Sequence, residues 1–222
     1  MIPWTECARV SLPSGGHLTL RRRNTEFSVS VDGVTLMNSQ SHYSEEQLAA
    51  LGCAHLVGQP KARGLVGGLG MGFTLRAALD LLPSDASVEV AELIPEVVEW
   101  NRGPLADLAQ RPLDDPRTVV RNEDVRATLH RARDAYDAVL LDVDNGPVAL
   151  TTSSNEALYS NLGLRTIARA LRRQGVLAVW SAREDGAFTR RLRANGFHSR
   201  KKRVSARPGG NAIHDLWLAT KT

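Results

Sequence analysis

The sequence predicts an α/β fold: a doubly wound, mostly parallel sheet closed by an antiparallel hairpin and preceded by a small β-meander. Three observations carry this. A glycine-dense turn, Gly64 to Gly72 (GLVGGLGMG), leaves a short apolar run and enters the helical pattern Phe73–Leu82; a second apolar run ends in an acid some twenty residues on, at Val88-Glu89-Val90-Ala91-Glu92. The runs AVLL and GVLAVW are continuously apolar, as strands buried on both faces must be. The tail sets Ser199–Ser205 against Ala212–Ala219 around Pro208-Gly209-Gly210, a terminal hairpin.

The elements follow in order. From Ile2 to about Gln40 the chain alternates short β-rich runs, Val10–Leu12, Leu18–Arg22 and Phe27–Val31, with the turns Pro13-Ser14-Gly15-Gly16 and Arg23-Asn24. Asp32-Gly33 before Val34–Met37 is a two-residue hairpin signal. This gives an N-terminal strand region over 1–42 and a main domain over 43–222. Ser44 is an expected N-cap, with Glu45, Glu46 and Gln47 in the first turn of a helix reaching about Leu56. Strands are expected at Gly64–Gly67, Val88–Leu93, Arg117–Arg121, Ala135–Val143 and Val176–Trp180. Helices are expected at Leu75–Leu82, from Pro95, at Asp124–Arg133, Asn155–Arg173 and Asp185–Asn195, the fourth stopped by Gln174-Gly175.

Composition narrows the function classes. The 222 residues suffice for one large domain, and 42% apolar with 23% charged residues is the balance of a globular protein. No run of eighteen apolar residues predicts a membrane span, and MIPWTECARV does not read as a secretion signal, so a cytoplasmic protein is expected. Cys7 and Cys53 have no framework spacing and read as free thiols. The net charge of +4 gathers in Arg21-Arg22-Arg23 and around Arg190–Arg203, without interleaved aromatic residues or a nucleic-acid motif. Nucleic acid is therefore not the expected partner. His17, His42, His55, His130, His198 and His214 never fall at ligand spacing with cysteine or acid, so no metal is expected.

The glycine turn and the acid after the second strand carry chemistry. Glycine lets the backbone approach a ligand with no Cβ in the way, and a carboxylate accepts two hydrogen bonds from a ribose diol. Gly67, Gly68, Gly70 and Glu92 are thus candidate nucleoside-binding residues. Asp142 ends the strand YDAVLLD, where α/β sheets place their sites, and Asp144 is its loop neighbour; a like-charge pair there raises one pKa and makes a base. For Asp142 and Asp144 the alternatives are loop capping and a turn with Asn145-Gly146.

A sheet of this order with a terminal hairpin resembles the Rossmann-like class I S-adenosylmethionine-dependent methyltransferase fold, with seven strands. That resemblance gives Asp124 a role against the adenine amino group, beside its alternative as a helix N-cap. The motif order is closer still to the spermidine synthase (aminopropyltransferase) family. The similarity rests on Val31-Asp32-Gly33, Tyr43-Ser44-Glu45, Val66-Gly67-Gly68, Glu92, Asp124, Tyr136–Asp142, the loop Asp142-Val143-Asp144-Asn145-Gly146-Pro147, and Leu158-Tyr159. It implies a decarboxylated S-adenosylmethionine or S-adenosylmethionine co-substrate, a small-molecule amine acceptor and no metal. It also implies catalytic Asp142 and Asp144, substrate contacts from Tyr43, Gln40 and Tyr159, and a homodimer formed through the front β-region.

The sequence also departs from that pattern. An aspartate that grips the substrate amine in the family's glycine turn is replaced by Gly70, and the Asp-x-x-Asp spacing after strand four is shortened to Asp142-x-Asp144. A glutamine expected just after the first hairpin reads Leu36, with Gln40 as its substitute. Three readings stay open: an aminopropyl transferase, an S-adenosylmethionine-dependent methyltransferase of unknown acceptor, and a nucleoside-binding homologue without turnover.

Overall fold

The computed structural model describes residues 2–12, 15–143, 157–182 and 185–222. The chain divides into two compact units, Met1–His42 and Tyr43–Thr222. The first is a four-stranded antiparallel meander of β1 (Thr5–Ser11), β2 (His17–Arg23), β3 (Glu26–Val31) and β4 (Val34–Asn38), in that order. Asp32 and Gly33 both take positive φ, 47° and 86°, the primed turn whose twist matches the flanking strands. The Asp32 carboxylate accepts a hydrogen bond from the His17 backbone N–H at 2.9 Å, tying this turn to the start of β2. Leu18, Leu20, Phe27 and Val29 form the buried apolar set of the meander.

The second unit holds a seven-stranded sheet. Its strands are β5 (Arg63–Gly67), β6 (Ser87–Ala91), β7 (Thr118–Arg121), β8 (Tyr136–Leu141), β9 (Leu171–Ser181), β10 (Phe197–Ser205) and β11 (Ile213–Lys221). Their spatial order is β10-β11-β9-β8-β5-β6-β7, with β11 antiparallel to both neighbours and the central pairs parallel. This is the Rossmann-like arrangement expected from the sequence. Strand order reverses at β5, which pairs with β8 on one side and β6 on the other, so a crevice opens beyond the carboxyl ends of those strands.

Among the described residues, the helices that connect the strands include α1 (Tyr43–Gly52), α2 (Phe73–Leu81), α3 (Pro95–Arg102), α4 (Val125–Arg131), α5 (Asn161–Ala170) and α6 (Gly186–Ala194). Pro95 opens α3, where the missing N–H costs nothing, and Asp185 caps α6 by accepting from Ala187 and Phe188 N–H. The buried core on one face of the sheet joins Leu65, Val139 and Leu177 from the strands with Leu164, Ile167 and Phe188 from the helices. Glu89, in the middle of β6, is buried, and Arg63 (3.3 Å) and Arg121 (3.0 Å) from the flanking strands compensate its charge.

Several expected boundaries move. Of the helix expected over Asn155–Arg173, Asn155 and Glu156 lie outside the described residues, Ala157 and Leu158 are helical, and α5 starts at Asn161 behind Ser160, whose hydroxyl accepts from the Gly163 N–H; β9 already begins at Leu171. Gln174 does take a positive φ of 62°, but inside β9, where the register against β8 slips between Tyr136 and Ala138; the feature is a strand bulge, not a helix stop. Ser44 is not an N-cap: it lies within the first turn of α1, fully buried, and its hydroxyl is used elsewhere. That helix ends at Gly52 and gives way to a separate 3-10 turn at Ala54–Leu56. At the far side, β10 is the sheet edge and presents exposed Arg200, Lys201, Lys202 and Arg203 in succession.

Candidate functional site

The site is assembled at the carboxyl ends of β5, β6 and β8. The register aligns Gly67 with Ala91 and with Leu141, so the residues that follow each strand emerge side by side. Gly68 N–H donates to Ala91 O and Asp142 N–H donates to Gly67 O, both at 2.9 Å. Gly68 has φ 86°, and a Cβ there would lie 2.4 Å from the Asp142 backbone oxygen, so only glycine lets the two strand ends come this close. Gly70, at φ 53°, continues the turn, and Asn101 from α3 pins it by donating from Nδ2 to Gly70 O at 2.9 Å and to Val97 O at 2.8 Å.

Glu92 follows β6 and is buried. Its Oε2 accepts from the Leu69 N–H and its Oε1 from the Ile94 N–H, each at 2.9 Å. One carboxylate therefore stitches the glycine turn to the loop entering α3. A carboxylate offers about four acceptor positions in all. Asn122 supports the same corner by donating to Glu92 O at 2.9 Å. Asp124 caps α4, accepting from Arg126 N at 2.8 Å and from the Arg126 guanidinium. Burial pushes its carboxyl up, but the side-chain and backbone donors of Arg126 outweigh burial, and the net shift is downward.

Asp142 extends from β8, and its Oδ2 accepts from Thr74 Oγ1 of α2 at 2.9 Å. Desolvation pushes the Asp142 carboxyl up to about 6 against the opposing pull of the Thr74 hydroxyl. Glu45, in the first turn of α1, feels the Asp142 charge; burial first and that charge second push its carboxyl up to about 8. Two acids near one another in a dry setting share protons rather than ionise independently. Glu45 Oε2 accepts from Ser44 Oγ at 2.5 Å. Ser44 Oγ in turn accepts from Trp180 Nε1 at 3.0 Å and meets His214 Nδ1 at 3.0 Å.

The structure thus gathers Gly67, Gly68, Glu92 and Asp142 at one sheet end, with Gly70 in the same turn. Tyr43 opens α1 beside Ser44 and Glu45, its backbone N–H bonded to Ala206 O. Gln40 is an exposed residue of the N-terminal unit, and its N–H donates to Asn38 Oδ1. Tyr159 lies in the apolar core, edge-on to Phe188 at 5.6 Å between ring centroids. Asp144, with the Asn145-Gly146-Pro147 turn, lies outside the described residues. Sequence reading missed the site roles of Glu45, Thr74, Asn101 and His214. Only Glu45 carried a signal, as the acid of Tyr43-Ser44-Glu45.

No protein-family model matches the chain. It is 38% identical over 128 residues to polyamine aminopropyltransferase 2 of Pseudomonas aeruginosa, a stretch that is 54% of this chain and 33% of that protein. The match therefore spans about a third of the relative's own length. The spermidine synthase of Thermotoga maritima superposes with a TM-score of 0.75 over 98% of this chain and 73% of that one, at 18% identity. A spermidine synthase crystallised with the transition-state analogue AdoDATO gives 0.74, covering 98% and 72%, at 17% identity. The fold is that of a Rossmann-like α/β domain, similar to the solved spermidine synthases. In fold the chain is similar to these synthases, and in sequence over the aligned stretch to polyamine aminopropyltransferase 2.

Proposed function

We propose that this protein transfers an aminopropyl group from decarboxylated S-adenosylmethionine to a small-molecule amine. The observation that carries the reading is Asp142: a carboxyl held at the end of β8, one peptide away from the Gly67-Gly68 turn, with a pKa pushed up to about 6. An amine acceptor is mostly ammonium at neutral pH and must lose a proton before it attacks; a carboxyl titrating near neutrality is suited to take it. The amine lone pair then forms the C–N bond to the methylene carbon beside the sulfonium. The C–S bond breaks with its electrons going to sulfur, and methylthioadenosine leaves. The chain's part is to line up the two reactants and hold cationic charge near Asp142 and Glu45.

On this reading Gly67, Gly68 and Gly70 cradle the donor, Glu92 takes its ribose hydroxyls, and Asp124 stands towards the adenine. Tyr43, Gln40, Tyr159 and Asp144 are carried as substrate-side residues by resemblance alone. The proposal extends to a cytoplasmic homodimer, for which light scattering is the direct test.

Gly70 favours a second reading. Without an acid in the turn, that side suits the α-amino and α-carboxylate groups of intact S-adenosylmethionine, and the reaction becomes methyl transfer. Purified protein given decarboxylated donor and a panel of amines should release methylthioadenosine. Silence across the panel, with tighter calorimetric binding of intact S-adenosylmethionine, would sink the first reading and favour the second.

A further inference from the structure

Buried within the second unit, the hydroxyl of Ser44 joins groups that lie far apart in sequence: Glu45 Oε2 at 2.5 Å, His214 Nδ1 at 3.0 Å and Trp180 Nε1 at 3.0 Å. The indole N–H is only a donor, so Trp180 always occupies one lone pair of Ser44 Oγ. The hydroxyl has a single proton, and it goes either to Glu45 or to His214. Which one is decided by the charge on Glu45. An ionised Glu45 accepts the Ser44 proton, and His214 must then donate from Nδ1. A protonated Glu45 donates to Ser44, whose proton turns to His214 Nδ1, and His214 then carries its hydrogen on Nε2.

We propose that Ser44 and His214 form a proton outlet for the site, carrying the proton of Glu45 to the far ring nitrogen of His214. The transfer balances as a concerted shift: the Glu45 proton moves to Ser44 Oγ, the Ser44 proton moves to His214 Nδ1, and the Nε2 proton of His214 leaves to water. One proton departs, and each oxygen and nitrogen ends with a normal valence. His214 is half-buried, at the partly exposed end of the relay, and packs against Trp180 at 4.5 Å between ring centroids. Burial lowers its pKa, so the ring stays neutral at the pH where Glu45, pushed up to about 8, titrates. Among the described residues, the ionisable groups that bear on Glu45 include Asp142 at the end of β8 and Glu46 on its own helix; the groups that meet His214 include Ser44 of α1 and Trp180 of β9. Both residues are positioning residues, since neither is placed against the reacting atoms. In turnover the relay would discharge the proton taken from the acceptor amine, a use that rests on the transferase reading; the relay itself does not.

Nitrogen-15 NMR of the full chain labelled at histidine tests this with no donor or acceptor present. As pH rises from about 7 to about 9, the neutral ring of His214 should change from the Nε2–H to the Nδ1–H tautomer, with a midpoint at the ionisation of Glu45. Glu45→Gln and Ser44→Ala should each abolish the change, and if Ser44→Ala does not fold, Glu45→Gln decides. A single tautomer over the whole range in the parent protein, or a change that persists in Glu45→Gln, overturns the proposal. Loss of methylthioadenosine release with the tautomer change intact counts against the transferase reading instead.

Discussion

The turn side and the carboxylate side of the crevice are built on opposite plans. On the turn side, Gly68, Leu69, Gly70 and Ile94 are pinned through backbone groups to Ala91, Glu92 and Asn101, and the charge of Glu92 is taken up by two N–H donors. On the carboxylate side, Asp142 and Glu45 have one hydroxyl bond each, from Thr74 and Ser44, and burial pushes both towards the neutral acid. The first plan gives a cradle whose shape is fixed by backbone hydrogen bonds. The second gives a pair of acids poised to gain and lose protons. A site of the proposed kind, which holds a nucleoside still while it moves protons at an amine, needs both.

That contrast breaks most sharply at Asp142. Asp142→Asn keeps the side-chain volume and the strand-end backbone but removes the base, and turnover should fall by about 10²–10⁴-fold, with methylthioadenosine affinity unchanged by calorimetry. An equal loss of affinity would show that the two sides are not separable. Gly68→Ala attacks the cradle instead: its Cβ would meet the Asp142 carbonyl at 2.4 Å and its φ of 86° would be strained. The expected loss is about 2–4 kcal/mol of unfolding free energy, read from urea denaturation.

Smaller changes sharpen the comparison. Glu92→Ala orphans the N–H groups of Leu69 and Ile94 and should weaken methylthioadenosine binding by about 1.5–3 kcal/mol, the scale of hydrogen bonds to a charged acceptor. Unchanged binding would remove the ribose assignment. Gly70→Asp should do least to the fold, because aspartate tolerates the left-handed φ of 53° better than most side chains. It should tighten amine binding by about 1 kcal/mol at low salt. If it strengthens neither diamines nor triamines, the missing acid is not what sets the amine affinity of this crevice.

How much was legible in the sequence follows from the same contrast. The cradle is local: Gly67-Gly68, Glu92 and the strand that delivers Asp142 sit at fixed distances from apolar runs, and periodicity places them. The carboxylate side is not local. His214 reaches Ser44 across 170 positions, and no spacing rule joins them. Glu45 stood in plain view, but its desolvation is a property of packing. The start of β9 was missed because Leu171-Arg172-Arg173-Gln174 is too polar to read as strand, and its bulge mimics a helix ending.

The row of cations on β10 has a consequence outside the crevice. An outermost strand is an invitation to lateral growth, and four successive exposed positive side chains make a second copy of the same strand an unwelcome guest. The clustered basic charge reads as a guard against polymerisation of the sheet. Replacing Arg200 and Lys202 by threonine should therefore raise light scattering at high protein concentration while the melting temperature stays put.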